Sequence, residues 1–315
     1  MGLAVGGVRS KLASSRRRTR SHVARHEELM GWVLASPWIL GFILWTAGPM
    51  LATIGLAFTS WDLLRPVTFV GLDNFATMFL HDPKFWTSLR VTTIYSVVSV
   101  PAQIALGLFV AILLNARISG LQWLRTVYYL PAVISGVAVS LLWLWIFSAD
   151  WGILNYLIGA LFGIRGPAWL SDEHWALWAL IIMSLWGIGG SMVVYLGGLQ
   201  GVPTELYEAA EVDGAGRWRK FWSIMIPMIS PVIFFQLITG IINALQTFTQ
   251  GYIMTSGGPN DATLFYVLYL YRSAFRYFRM GYASALAWVI FVYILLLTLL
   301  VFRSSSAWVY YAGER

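Results

Sequence analysis

The residues of this sequence that could do chemistry are few, and they form no catalytic arrangement. The 315 residues include no cysteine and only four histidines, which are scattered along the chain. No GxxxxGK[ST] nucleotide-binding loop, nucleophile elbow or HExxH zinc motif occurs. We therefore predict no catalytic residue, no cofactor and no metal site, and we expect the functional residues to act by binding.

Beyond the N-terminal tail, charged residues are densest between Pro203 and Pro227, where acidic side chains precede basic ones. They are Glu205, Glu208, Glu211, Asp213, Arg217, Arg219 and Lys220. A capping Thr204, acidic residues in the early turns and a stop at Gly214 and Gly216 predict a short helix. Its apolar positions are Leu206, Ala209, Ala210 and Val212. The pattern fits a face that seats in a partner's groove, and it equally fits a solvated helix that joins two membrane spans.

A second polar group recurs along an otherwise apolar segment. Its members, spaced four, three, four and three residues apart, are Gln236, Gly240, Asn243, Thr247 and Gln250. Because polar groups are costly against lipid, this helix face must contact protein or a water-filled path. Hydrogen bonding between helices and contact with a solute both fit it. A stripe of small and hydroxyl residues earlier in the chain favours close helix packing over solute contact, and it consists of Ser184, Gly187, Ser191 and Tyr195.

These polar groups are set in a very apolar chain. The sequence is 58% hydrophobic and 11% charged, whereas a soluble protein carries about 25% charge. Apolar runs near or above about 18 residues are long enough to cross a bilayer as helices. The predicted spans are Gly31–Phe58, Val91–Leu114, Val127–Phe147, Trp175–Leu199, Met228–Phe248 and Ala283–Phe302. We therefore predict an all-α, polytopic membrane protein with six transmembrane helices.

The charge distribution predicts the orientation of the chain. We expect a basic tail over residues 1–30, a transmembrane domain over 31–303 and a second tail over 304–315. Fourteen of the 21 Lys and Arg residues lie in these tails, at Arg303 directly after the last span, or in the two loops on the same side. The positive-inside rule then puts both termini and the Pro203–Pro227 stretch in the cytoplasm.

The stretch from Pro203 to Pro227 resembles the EAA motif of the membrane subunits of bacterial ABC importers. The matching residues are Glu208, Ala209, Ala210, Gly214, Ile224 and Pro227. Ile226 stands where the motif usually has leucine. The resemblance implies the type I ABC importer permease fold, in which this segment is a coupling helix that docks into a cleft on the ATP-hydrolysing subunit. The implied coupling residues are Glu205, Glu208, Ala209, Ala210, Asp213 and Gly214.

Other segments are similar to the maltose-type, carbohydrate-uptake branch of that family. They are Val70–Phe75, Leu130–Pro131, Gly152–Asn155 and the Gly-Gly-Pro segment Thr255–Tyr282. In that branch the helix before the Gly-Gly-Pro turn supplies sugar-binding residues, and the resemblance places them at Gly240, Ala244 and Thr247. With the polar stripes, the predicted substrate pathway comprises Ser191, Tyr195, Gly240, Asn243, Ala244, Thr247 and Gln250.

The resemblance implies a permease subunit of an ATP-driven importer that carries a carbohydrate across the inner, cytoplasmic membrane. The implied partners are a second homologous permease, an ABC ATPase dimer, an extracytoplasmic solute-binding protein and membrane lipids, with no role for nucleic acid. Glycerol 3-phosphate or a polyol is an alternative substrate. An ion-coupled secondary transporter is a further alternative, although the predicted spans hold almost no ionisable side chain. A membrane-embedded enzyme would need convergent carboxylates or histidines, and carboxylates cluster only between Pro203 and Pro227.

Overall fold

The computed structural model describes residues 22–116 and 120–311. These residues are mostly helical, as the long apolar runs predict. The α-helices, in chain order, are α1 (His22–Phe42), α2 (Gly48–Ala57), α3 (Asp73–Ala76), α4 (Pro83–Leu114), α5 (Leu121–Val133), α6 (Gly136–Ile146), α7 (Ile153–Phe162), α8 (Ala176–Ser184), α9 (Gly189–Gln200), α10 (Thr204–Val212), α11 (Arg217–Lys220), α12 (Ile226–Leu245), α13 (Tyr266–Tyr271) and α14 (Met280–Ser305). Most of the basic tail predicted over residues 1–30 lies outside the described residues, and α1 begins at His22.

Short irregular elements join or extend several of these helices. Wider, π-helical turns lie at Ile43–Ala47, Thr77–His81, Phe221–Met225, Gly251–Thr255 and Arg272–Arg276, and a 3₁₀ turn lies at Leu185–Gly187. The two strands, β1 (Thr59–Ser60) and β2 (Thr68–Phe69), pair antiparallel with Thr59 opposite Phe69. Gly281 of α14 packs so closely on β1 that an added Cβ would lie 1.8 Å from the Thr59 carbonyl oxygen.

Four helical segments of the described residues are long and apolar enough to cross a membrane. They are His26–Ala57, Pro83–Leu114, Arg217–Leu245 and Met280–Ser305. Two bent helix pairs, α5 with α6 and α8 with α9, raise the number to six if each pair forms one span. The described chain is therefore consistent with six crossings, two of which are broken.

The predicted third span, Val127–Phe147, is wrong as a continuous helix. Helices α5 and α6 meet at an angle of 101°. Ser135, between them, has an extended backbone (φ −62°, ψ 143°), and its hydroxyl oxygen accepts a 3.4 Å hydrogen bond from the Ala138 N–H. This side-chain cap starts a new helix. Pro131, near the end of α5, has no N–H to donate to the helix ladder.

The predicted fourth span, Trp175–Leu199, also bends, by 46°, after the 3₁₀ turn. Glycines cluster at this bend, at Gly187, Gly189 and Gly190. Because glycine is the weakest helix former apart from proline, the cluster weakens a helix that is otherwise uniformly apolar. The span is therefore two helices, α8 and α9, rather than one.

The predicted second span starts too late, because α4 begins eight residues before Val91, at Pro83. Asp82 caps this helix, with its carboxylate accepting hydrogen bonds from the backbone N–H groups of Lys84 (2.9 Å) and Phe85 (3.4 Å). An acidic N-cap followed by proline is a strong helix start, and it extends α4 into the segment between the first two predicted spans.

The Asp82 carboxylate also holds two distant tyrosines. It accepts hydrogen bonds from the hydroxyls of Tyr269, in α13, and Tyr282, in α14. Burial, together with the charge of Asp82, raises the pKa of Tyr269 to about 12, so this hydroxyl stays protonated and donates. One carboxylate thus ties the start of α4 to two later helices.

The chain forms two compact units, one up to Thr53 and one from Ile54 onwards. Within the second unit, α4 packs against both α9 and α12, and these two helices also pack on each other. One buried cluster surrounds the first half of α4 and includes Phe85 and Tyr95. Another surrounds its second half and includes Ala111. Helix α4 is therefore the central helix of the second unit, against which α9 and α12 pack.

Candidate coupling segment and solute pathway

The stretch from Pro203 to Pro227 divides into two parts with different structures. Its acidic half is the separate short helix α10, followed by the turn Asp213–Gly216. Its basic half, α11, continues without interruption through the π-helical turn into α12. The basic residues therefore belong to the same 29-residue helix, Arg217–Leu245, as the fifth predicted span. The predicted span, Met228–Phe248, starts eleven residues too late and runs past the end of this helix.

The end of α10 is set by Gly214, as the sequence predicts. Gly214 has φ +72°, in the left-handed region where glycine has no Cβ penalty. The Ala215 N–H bonds to the Ala210 carbonyl (2.8 Å) and the Gly214 N–H to the Glu211 carbonyl (3.0 Å). These two bonds make a Schellman cap. Gly216 plays no part in the stop, because its backbone is extended and leads directly into α11.

The predicted cap at the start of α10 is wrong. Thr204 is the first helical residue rather than the cap, and Pro203 precedes it without any side-chain hydrogen bond to the helix end. Proline fixes its own backbone angle, so it can lead into a helix without a capping side chain. The first N–H groups of α10 are therefore left without a side-chain partner from this cap position.

One side of α10 is anchored to the protein and the other is free. Tyr207 is half-buried and packs against the buried cluster around the second half of α4. Leu206 is 41% exposed and Val212 is 89% exposed. Of the predicted coupling residues, Ala210 is half-buried and the exposed ones are Glu205, Glu208, Ala209, Asp213 and Gly214. The helix therefore presents acidic and apolar side chains together on an open surface.

An ion pair joins α10 to the helix that follows it. The Lys220 ammonium donates a 2.6 Å hydrogen bond to the Glu211 carboxylate. This bond and the charge of Lys220 lower the pKa of Glu211. The pair spans the turn at Gly214, so it helps to fix the angle between α10 and α11.

The predicted polar stripe is not a single helix face, because α12 ends at Leu245 and both Thr247 and Gln250 follow it. Its members still line two adjoining cavities. A cavity of 290 Å³ is lined by Gly240, Asn243, Ala244, Thr247 and Gln250, among others. A cavity of 210 Å³ is lined by Gly240 and Asn243 together with Ser191 of α9. Six of the seven predicted pathway residues thus lie at these two cavities. The seventh, Tyr195, lies outside both and is buried against α4.

The sequence prediction missed the contribution of α4. Gln103 lines both cavities and Tyr95 lines the larger one. Gln236, a member of the polar stripe outside the predicted pathway, lines the smaller cavity. Gln103 could have been found, because it is the amide side chain within the apolar run of the second predicted span, close after Pro101.

Hydrogen bonds between helices account for only one member of the polar stripe within the described residues. The Thr247 hydroxyl bonds to the Asn243 carbonyl and also to the Tyr95 hydroxyl of α4, whereas the Ser191 hydroxyl bonds to the nearby Ile188 carbonyl. The side-chain amides that line the cavities hydrogen bond to no other group of the described chain. They are Gln103, Gln236, Asn243 and Gln250. No charged side chain of the described residues lines either cavity. The cavities therefore offer neutral donors and acceptors to whatever enters them.

Residues 103–308 match the family model described as the binding-protein-dependent transport system inner membrane component. The chain belongs to this family. It is 44% identical over 298 residues to the probable ABC transporter permease protein YesP of Bacillus subtilis (strain 168), covering 94% of this chain and 96% of that one. It is 36% identical over 296 residues to the lactose transport system permease protein LacF of Rhizobium radiobacter, covering 91% and 97%.

A solved structure shares the fold. The chain is similar, with a TM-score of 0.79 and 24% identity, to a chain in the crystal structure of a bacterial alginate ABC transporter in complex with an alginate pentasaccharide-bound periplasmic protein. The similarity covers 91% of this chain and 97% of that chain. The predicted ABC importer permease fold is thereby confirmed, and the chain is an inner membrane component of a transport system.

Proposed function

We propose that this chain is a permease subunit of an ATP-driven importer that carries a carbohydrate across the inner membrane. The exposed helix α10, ended by Gly214 and tied to α12 through α11, is the observation that carries the proposal. A permease whose conformational change is driven by a separate ATPase subunit needs an exposed surface on which that subunit can bind. The chain has no nucleotide-binding loop of its own.

In this proposal α10 docks into a cleft on a partner ATPase. Glu208 is the main polar contact, and the small Ala209 allows the helix to seat closely. ATP closes the ATPase dimer and draws α10 towards its counterpart on a second permease subunit. The spans then rock, the pathway opens outward, and a solute-binding protein releases its cargo. ATP hydrolysis reverses the motion. Both termini lie in the cytoplasm in this arrangement.

The names of the relatives and the chemistry of the cavities support a carbohydrate as cargo. One relative is a lactose transport permease, and the structural neighbour is an alginate transporter. Amides and hydroxyls, which line both cavities, can donate to and accept from the hydroxyls of a sugar. A phosphate group would call for a cationic side chain, and none of the described residues at the cavities is charged.

The test is transport by the complete complex in proteoliposomes. The permease is reconstituted with its partner permease, ATPase and binding protein, and ATP is enclosed on the ATPase side. Radiolabelled lactose, maltotriose, alginate pentasaccharide and glycerol 3-phosphate are then offered with the binding protein. We expect ATP-dependent accumulation of at least one sugar and none of glycerol 3-phosphate. Accumulation by the chain alone, without an ATPase, would contradict the proposal, as would the absence of uptake for every sugar.

A further inference from the structure

Gln103 stands where three helices meet. Val100, Gln103 and Gly107 are spaced three and four residues apart, so they share one face of α4. On this face Val100 lies against Gly240 of α12, and Gly107 lies against Ser191 of α9. The Gln103 side chain therefore points into the space that remains between the two helix contacts.

The two cavities meet at this position. Both are lined by Gln103, Gly187, Gly240 and Asn243, so these residues form the boundary between them. Two of the four are glycines and contribute no side chain. Any solute that passes from one cavity to the other must therefore pass the amides of Gln103 and Asn243.

The Gln103 amide is available for such a contact. It is half-buried and makes no hydrogen bond to another group of the described residues. A carboxamide presents one accepting oxygen and a donating NH₂ group. That pair matches two neighbouring hydroxyls of a sugar ring, one of which donates while the other accepts. An aliphatic side chain of similar size would fill the space but would leave these hydroxyls unpaired.

We propose that Gln103 is a specificity-determining residue of the solute pathway, which hydrogen bonds to carbohydrate hydroxyls as the cargo passes between the two cavities. This inference rests on the proposed function and extends it to a helix outside the predicted pathway. The α12 amides recognise one side of the solute, and Gln103 recognises the side that faces α4.

The experiment uses the complete transporter and the sugar of the panel above that the wild-type complex accumulates fastest. Gln103→Leu removes the amide at similar volume, and Gln103→Asn retains it on a shorter side chain. Gln246→Leu is the matched control, because Gln246 is exposed and lines neither cavity. Uptake and ATP hydrolysis stimulated by the loaded binding protein are measured side by side.

We expect Gln103→Leu to slow uptake by about tenfold, which corresponds to the loss of one or two neutral hydrogen bonds. Stimulated ATP hydrolysis should be retained, because the amide acts on the solute rather than on the coupling helix. Gln103→Asn should recover part of the uptake, and Gln246→Leu should transport like the wild type. Monodeoxy analogues of the sugar provide a second measurement. At least one should be transported more slowly than the parent by the wild type and equally well by Gln103→Leu.

Several outcomes would overturn the inference. Wild-type uptake by Gln103→Leu would show that no hydroxyl depends on the amide. An equal fall in uptake and in ATP hydrolysis would show that Gln103 supports the helix packing instead. If the wild-type complex accumulates no sugar, the proposed function fails first, and this inference fails with it.

Discussion

Replacing Gly214 with valine should weaken the link between ATP hydrolysis and transport. Gly214 has φ +72°, and no atom lies within 4 Å of the position that a Cβ would take. The substitution therefore introduces backbone strain without a clash in this chain. A left-handed residue with a side chain costs roughly 1–2 kcal/mol, and a β-branched one is the least tolerated there. A cost of this size shifts the balance between the capped and the frayed end of α10 by about 5- to 30-fold.

Gly216→Val is the matched control for this prediction. Gly216 also has open space around its Cβ position, but its backbone is extended and accepts any side chain. The assay is sugar accumulated per ATP hydrolysed by the reconstituted transporter, together with copurification of the ATPase subunits. Gly214→Val should lower the ratio and loosen the ATPase, whereas Gly216→Val should match the wild type. If the two variants behave alike, the reasoning about the α10 cap is refuted.

Three further substitutions test the framework around the site by thermal unfolding in detergent. Glu211→Gln should have little effect at neutral pH, because the Glu211 side chain of the ion pair with Lys220 is 64% exposed. Since that ion pair lowers the pKa of Glu211, its contribution is present above the ordinary glutamate pKa and disappears as the pH falls through the lowered value. The difference between variant and wild type should vanish in acid, and a difference that grows there would contradict this. Gly281→Ala should lower the melting temperature, because the alanine Cβ would lie 1.8 Å from the Thr59 carbonyl oxygen. The expected loss of stability is about 1–3 kcal/mol or more. An unchanged melting temperature would show that the backbone of β1 moves away from the added Cβ without cost. Asp82→Asn should lower the stability by about 1.5–3 kcal/mol, because two tyrosine hydroxyls donate hydrogen bonds to the Asp82 carboxylate. Asparagine can still cap α4, so the helix start is retained. An unchanged melting temperature would show that the two tyrosines do not need a charged acceptor.

The sequence predicts most of the helices because apolar runs of spanning length leave few alternatives to a helix. The breaks within the third and fourth spans were not predicted. A single capping serine, Ser135, or a few glycines can interrupt a helix without changing the hydropathy of the run. Local backbone signals of this kind decide where a helix bends. They do not show in the hydropathy averaged over a span of about twenty residues.

The coupling segment and the solute pathway differ in how far the sequence could define them. A stop near Gly214 follows from residue type, because glycine is the usual residue at a left-handed helix end, but residue type does not distinguish Gly214 from Gly216. The roles predicted for Glu208 and its neighbours in docking an ATPase remain predictions. Gln103 stands out in the sequence as the amide within an apolar span, but a single amide has no periodic pattern that would assign it to the pathway. Its place at the cavities depends on how α4 packs against α9 and α12, which no local pattern records.

The continuity of Arg217–Leu245 has a geometric consequence. The Gly240 end of this helix lies 23 residues from Arg217, which is roughly 35 Å at the rise of an α-helix. A tilt of about 5° around the Arg217 end would displace the backbone at Gly240 by about 3 Å, the length of one hydrogen bond. Small rotations of α11 are therefore enough to make or break hydrogen bonds with a sugar near Gly240, at the other end of the same helix.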